Sequence, residues 1–269
     1  MDYVDNLSSL IKESVKGIDN TGIAFSGGID STLIAYLLKE KNPGLYVVGS
    51  EGSHDLEAAE SAAKILGMEL NKIIITKDDV GEAVPIVAKM LNEIKLNEEM
   101  KKCTLPNASV SPVSISFNLP LYFVAKHCKE DKIISAQGPD TMFGGFTKHV
   151  NMSAEDLKKE LEDNTRDLVV LGEEQHKAIG KYFSKNILFP YLRKDILEFS
   201  MSLPVEWKIR DGKRKCVLVE ASKKLGFPAE LAERKKKSAQ YGSGIMNLMK
   251  KIAKEDGETV GNWVRKKVL

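Results

Sequence analysis

Four short apolar runs alternate with stretches of helical periodicity. The runs are TGIAF (21–25), GLYVVGS (44–50), NKIIIT (71–76) and DKIISA (131–136). Between and before them, residues 31–40, 55–67, 79–96 and 114–129 carry apolar residues three and four apart. A strand that is apolar throughout is covered on both faces, and strands alternating with helices make parallel sheets. The pattern therefore predicts an α/β fold, a parallel sheet with helices on both faces. Asn42-Pro43-Gly44 and Gly67 supply stops for the first two crossover helices. A short amphipathic helix is expected over 3–16, and a polar loop over 97–113. Beyond residue 150 strand signals nearly vanish. The expected organisation is a nucleotide-binding core over 1–150, followed by a mainly helical C-terminal region over 151–269 that packs on it and completes the site.

The remaining bounds exclude several classes. The chain has 269 residues, 42% of them hydrophobic, enough to bury a substantial core. Its formal charge of +2 gives no global field that would favour nucleic acid; the one dense charge run is Arg234-Lys235-Lys236-Lys237. No apolar run approaches the roughly 20 residues that span a bilayer. MDYVDNLSSLIKESV lacks the apolar centre of a signal peptide. The expectation is a cytoplasmic chain without membrane contact. Cys103, Cys128 and Cys216 are too few and too scattered for a disulfide framework, and none stands in a CxxC pair. The four histidines, at 54, 127, 149 and 176, show no ligand spacing and read as structural or surface residues.

FSGGIDST (25–32) leaves the first strand and opens a helix. In an open parallel sheet, ligands bind beyond the carboxyl ends of the strands. Gly27 and Gly28 let backbone N–H groups approach an anion, Ser26 and Ser31 add hydroxyls, and the helix adds its positive end. Two glycines are also what an ordinary strand-to-helix turn requires. There is no Walker ending and no GxGxxG. Asp30 tips the balance, because a carboxylate beside a phosphate calls for a divalent cation between them, and carboxylates with phosphate oxygens are how Mg²⁺ is usually held.

Ser-Gly-Gly-x-Asp-Ser in this position resembles the PP-loop of the N-type ATP pyrophosphatases, the adenine nucleotide alpha hydrolase-like fold. These enzymes cleave ATP between its α and β phosphates. A second stretch, SAQGPDTMFGGF (135–146), follows the fourth strand and resembles SGEGADELFGGY of the asparagine synthetase family. Ser135, Gly138, Asp140, Phe143, Gly144 and Gly145 match in position. VVGSEGSHDLEAAESAAKILG, the segment 189–221 and RKKKSAQYGSG (234–244) resemble further family segments in the same order. No counterpart of the family's N-terminal glutaminase domain is expected, since Met1 is followed by Asp2 and the PP-loop arrives early.

The resemblance implies an AMP-forming amide ligase that uses ATP and Mg²⁺. A small-molecule acceptor, most simply a carboxylate, would be adenylated, and ammonia would be free or come from a separate glutaminase. It implies that Ser26, Gly27, Gly28 and Ser31 hold the β and γ phosphates and that Asp30 and Asp140 hold the metal. Phe25, Val48 and Ser135 surround the adenosine with Gly138 close by, and Lys215 neutralises charge growing on the α phosphate. Asp30 and Asp140 are both expected in loops outside the core. Three positions depart from the family. Its glutamate within SGEG is Gln137, the glutamate after the aspartate is Thr141, and the aspartate of PFLD is Arg193. A carboxamide hydrogen-bonds but cannot take a proton. Adenylation is thus expected to be intact and the second, amide-forming step altered, with Gln137 at its centre.

Two other readings stay open on the residues. One is a sulfur-inserting enzyme acting on tRNA, with an iron–sulfur cluster on the three cysteines and with segments 208–215 and 234–237 facing RNA. The geometry expected of Cys128, at the amino-terminal edge of the sheet, disfavours it. The other is a non-catalytic nucleotide-binding protein, against which the joint presence of Asp30, Asp140 and Lys215 weighs.

Overall fold

The computed structural model describes residues 2–103, 110–233 and 242–268. Helix α1 (Tyr3–Ser14) leads into β1 (Thr21–Ala24), α2 (Ile29–Leu37), β2 (Gly44–Gly49), α3 (His54–Leu66), β3 (Leu70–Ile74) and α4 (Lys77–Asn92). Then come α5 (Pro112–His127), β4 (Lys132–Ile134), the single turn α6 (Pro139–Met142), α7 (Ala154–Asp167) and α8 (Glu173–Tyr182). A π turn over Leu168–Gly172 joins α7 to α8. The remainder is β5 (Asn186–Leu188), α9 (Lys194–Ser202), α10 (Val205–Lys208) and a hairpin of β6 (Ile209–Arg210) and β7 (Lys213–Arg214). Helices α11 (Cys216–Lys224), α12 (Ala229–Ala232), α13 (Ile245–Glu255) and α14 (Val260–Val268) follow.

The main sheet has the order β3-β2-β1-β4-β5 and is parallel throughout. Successive residues of a strand face opposite sides, and both sides are buried. Ile23, Val47 and Ile134 pack into one core with α1, α2, α3, α9 and α11. Tyr46, Val48 and Ile133 pack into a second core with α4, α5, α8, α13 and α14. Helices thus cover both faces, as the apolar runs require. No helix among the described residues is long and apolar enough to cross a membrane.

The order fixes where a ligand can sit. From β1 the chain winds one way through β2 and β3. It then crosses back to lay β4 and β5 on the other side. The loops that leave β1 and β4 therefore part from each other at the carboxyl edge, which is the crevice such sheets offer.

Two local expectations change. A fifth strand lies within the half read as helical; at three residues, Asn186–Leu188 is too short for an apolar period to register. Asp30 and Asp140 are not loop residues. Gly28 has extended backbone (φ −78°, ψ 159°) and serves as the cap of α2, so the turn ends earlier and Asp30 falls in the first helical turn, 2% exposed. Asp140 stands in the turn α6, half-buried, with its side chain 32% exposed.

Candidate active site

The loop after β1 is closed by its own side chains. The Ser26 N–H donates to Ser31 Oγ (3.2 Å), the two hydroxyls lie 3.3 Å apart, and the Thr32 hydroxyl donates to the Gly28 carbonyl (2.8 Å). Gly27 has φ +69°, and a Cβ there would stand 2.4 Å from the Ala58 backbone on α3. Both its backbone conformation and its neighbour require glycine. The loop delivers the N-terminal end of α2, with its partial positive charge, to the crevice.

Lys215 comes from far along the chain to meet this loop. The hairpin β6–β7 turns through Asp211 (φ +52°) and Gly212 (φ +70°), the Asp-Gly pair suited to a tight reversal. Lys215 follows at φ +55°, a left-handed conformation uncommon for a residue with a side chain. Its ammonium lies 2.8 Å from each carboxylate oxygen of Asp30 and 2.7 Å from Asp140 Oδ1. Lys215 is 6% exposed. Charges this deep persist because they are paired and hydrogen-bonded. The Tyr191 hydroxyl donates to the Asp30 carbonyl (3.0 Å), and Arg214 Nη1 donates to the Gly145 carbonyl (2.5 Å). These contacts tie the PP-loop-like turn, the β4 loop and the hairpin into one unit.

Beside this triad opens a cavity of about 610 Å³. Phe25, Ser26, Asp30, Ser31, Val48, Ser135, Gln137, Gly138 and Asp140 all line it. Gly27 and Gly28 form the loop behind the wall, and Lys215 enters through its contacts with the two aspartates. The structure thus brings together at one crevice the residues to which the resemblance gives a place around ATP. Gly138 has φ +124°, and a Cβ there would press on Leu192 and Met142. The Thr141 hydroxyl donates to the Gly138 carbonyl at 2.8 Å. Arg193 points elsewhere: it bonds Asp195 and the Glu13 carbonyl on the surface. The lysine run 234–237, and residues to 241, lie outside the described residues.

Several cavity residues were not legible in the sequence. His176, read as structural or surface, is 5% exposed and lines the cavity. Its Nδ1 is 3.1 Å from Ser135 Oγ, and its ring lies between those of Phe117 and Phe189, at 5.9 and 6.1 Å between centroids. Burial drives its pKa down to about 3, so the imidazole is neutral. Lys148, Glu160 and Asn164 also line the cavity. Lys148 pairs with Glu160, and Asn164 Nδ2 donates to Glu160 Oε1 at 2.9 Å. A lone histidine in α8 and a lysine–glutamate pair twelve residues apart carry no motif. The hairpin behind Lys215 did have a signal, Asp211-Gly212.

The cysteines are dispersed about the fold. Cys128 packs against Gly22 at the start of β1, with its thiol donating to Glu130 Oε2 (3.1 Å), at the amino edge of the sheet. Cys216 follows Lys215 at the opposite, carboxyl edge, its thiol 3.3 Å from the Lys213 carbonyl. Burial raises the pKa of all three thiols, to about 11 for Cys103 and about 12 for Cys128. A raised thiol is a poorer nucleophile at neutral pH.

Comparison with known proteins bears on the same arrangement. A family model described as asparagine synthase matches residues 6–189 and 183–263. A protein of Methanocaldococcus jannaschii named as a candidate glutamine-hydrolyzing asparagine synthetase is 30% identical, over 95% of this chain and 52% of its own length. The glutamine-hydrolyzing asparagine synthetase of Rattus norvegicus is 25% identical, over 90% of this chain and 42% of its own. The chain thus spans about half the length of the curated relatives it matches. Among solved structures, an NMN synthetase from Francisella tularensis aligns over 99% of this chain and 90% of its own, at 14% identity and a TM-score of 0.40. With the family model covering nearly all of its residues, the chain belongs to the asparagine synthase family.

Proposed function

We propose that this chain is an ATP-dependent, AMP-forming ligase that activates an acceptor carboxylate and converts it to an amide. The observation that carries the reading is the convergence of Asp30, Asp140 and Lys215 beside the glycine loop at the β1–β4 crevice. The N-terminal turn of α2, with Ser26, Gly27, Gly28 and Ser31, suits the β and γ phosphates. Phe25, Val48 and Ser135 offer a partly apolar wall for adenosine.

The donor set fits Mg²⁺. Two carboxylates converge on one point of positive charge, held by the Lys215 ammonium, and hard oxygen donors are what Mg²⁺ takes. Asp30 and Asp140 would hold the ion, whose contribution when bound is to neutralise phosphate charge. Lys215, which reaches both aspartates from the hairpin, would be the cation available to the α phosphate. A preorganised donor aimed where charge develops is worth roughly 3 kcal/mol of barrier.

In the first step a carboxylate oxygen of the acceptor attacks the α phosphorus. A new O–P bond forms, the bond to the β phosphate breaks, and pyrophosphate leaves. In the second step ammonia or an amine attacks the acyl carbon. The C–O bond to AMP breaks, and the nitrogen loses a proton. Ammonia is supplied free or by a separate glutaminase. Gln137 cannot take that proton, so the proton leaves by another acceptor and the second step is the slower one.

The test is the product of ATP turnover with Mg²⁺ across a panel of carboxylates. AMP and pyrophosphate are expected, with labelled pyrophosphate exchanging into ATP, and ADP with phosphate would refute the reading.

A further inference from the structure

Forming an amide from an acyl adenylate releases a proton from nitrogen, and Gln137 cannot take it. Among the described residues four carboxylates line the cavity: Asp30, Asp55, Asp140 and Glu160. Asp30 and Asp140 both meet the Lys215 ammonium and are the pair suited to the metal. Asp55 stands beyond β2, 3% exposed, with His54 Nδ1 3.5 Å away. His176 is no substitute, because an imidazole whose pKa burial drives to about 3 does not hold a proton at neutral pH. Glu160 is the fourth.

Its place in the fold suits the reacting end of the cavity. Glu160, Asn164 and Leu168 fall four residues apart along α7 and the π turn, and all three line the cavity, so one face of this helix forms its wall. Helix α7 packs against α6, the turn that carries Asp140. The pKa of the buried His149 is lowered first by burial and then by Lys148, while Glu160 and Asp140 both oppose the shift. One ring thus lies within range of both carboxylates, which puts Glu160 on the Asp140 side of the cavity.

The carboxylate is held by one oxygen. Lys148 Nζ and Asn164 Nδ2 (2.9 Å) both donate to Oε1, and among the described residues Oε2 has no hydrogen-bond partner. Asn164 is 7% exposed, so that donor is fixed by its surroundings. The bond from Lys148 holds the Glu160 carboxyl below its usual range, and the side chain is ionised at neutral pH. The side chain is 26% exposed, open enough to pass a proton on to water.

Ammonia or an amine attacks the acyl carbon with its lone pair. The C–N bond forms, the carbonyl π pair moves to oxygen, and the nitrogen becomes positively charged. Its proton is then more acidic than that of the free ammonium ion, because the carbon it has joined bears two oxygens. A weak carboxylate base is matched to such a proton. We propose that Glu160 Oε2 accepts it, with Lys148 and Asn164 as the positioning residues. The C–O bond to AMP then breaks, AMP leaves with that electron pair, and the proton passes from Glu160 to solvent. This rests on the adenylating reading of the same cleft.

Aspartate, succinate and propionate serve as acceptor probes, with ammonium chloride or hydroxylamine as the nitrogen source. Exchange of labelled pyrophosphate into ATP reports the first step, and amide or hydroxamate formation reports the second. Glu160→Gln keeps the shape of the side chain and an oxygen for Lys148 and Asn164. It should lower amide formation at least a hundredfold relative to exchange, the usual contribution of a positioned base. Hydroxamate formation should fall less than about tenfold, because the hydroxylamine nitrogen, once attached, yields its proton to water more readily. Lys148→Met removes the ammonium that keeps the carboxyl low. The acidic limb of amide formation should therefore move to higher pH, with His149 and Asp140 left as the titratable groups about Glu160. A lysine that only supports the fold would leave that limb in place. An unchanged ratio of amide to exchange in Glu160→Gln overturns the assignment, as does an equal loss with ammonia and hydroxylamine, or an unmoved limb in Lys148→Met. Exchange absent from the wild-type protein with every probe is a different failure: it sinks the adenylating reading itself, and the assignment with it.

Discussion

Gly145 lies so close to Lys215 that a Cβ at position 145 would stand 2.4 Å from Lys215 Cε and 1.9 Å from Asp140 Oδ1. The glycine of the β4 loop thus sets how near the ammonium can come to both carboxylates.

Gly145→Ala is accordingly expected to push Lys215 and Asp140 apart and to reduce the maximal rate of ATP cleavage at least a hundredfold, since removing one preorganised contact costs about that much. The cavity wall otherwise stays in place, so ATP affinity should fall less than tenfold. Steady-state kinetics beside equilibrium ATP binding separates the two, and an equal loss in both would place the clash elsewhere.

Asp30 is buried and paired with Lys215, so substituting either acts on the fold. Lys215→Met leaves a buried carboxylate without its ammonium and should destabilise the chain by about 3 kcal/mol. Asp30→Asn alone should cost about 1–3 kcal/mol. The double variant, with both charges gone, should cost less than the sum of the two. Urea unfolding of all four proteins measures this coupling, and additive losses would show that the pair is not held as described.

His176 makes stability depend on pH in a defined window. Its folded pKa, about 3, lies below its ordinary 6.5. Between those values the unfolded chain binds a proton that the folded chain refuses, so stability rises with pH there. The contribution is fully present above about 6.5 and is lost as pH falls toward 3, by at most about 1.4 kcal/mol per pH unit. His176→Asn should flatten the slope of unfolding free energy between pH 6.5 and 4.5. A slope identical to wild type would assign the acid sensitivity to other groups.

Much of this architecture is readable in the amino-acid sequence. Parallel sheets are buried on both sides, so β1, β2, β3 and β4 announce themselves as apolar runs. The glycine loop and the 135–146 stretch mark the two strand ends that diverge at the crevice. β5 did not register, because three residues held by one neighbour need little hydrophobic pattern. The depth of Asp30 was also hidden. Whether a carboxylate after a glycine pair is solvated depends on which elements later cover it, and Lys215 and Tyr191 arrive from beyond residue 190. His176 was illegible for the same reason: its role is set by Phe117, Phe189 and Ser135, which only the tertiary fold assembles around it.

Lys215 is separated from Asp30 by 185 residues. During synthesis from the amino terminus, both acidic partners of the triad leave the ribosome well before the lysine that joins them. At translation speeds of roughly 5–20 residues per second, the two carboxylates precede their shared ammonium by seconds. All five strands of the parallel sheet precede residue 215, but the crevice acquires its central cation only when the hairpin emerges and docks. Assembly of this charge cluster is therefore a late event in the life of the chain, timed by the position of residue 215 in the message.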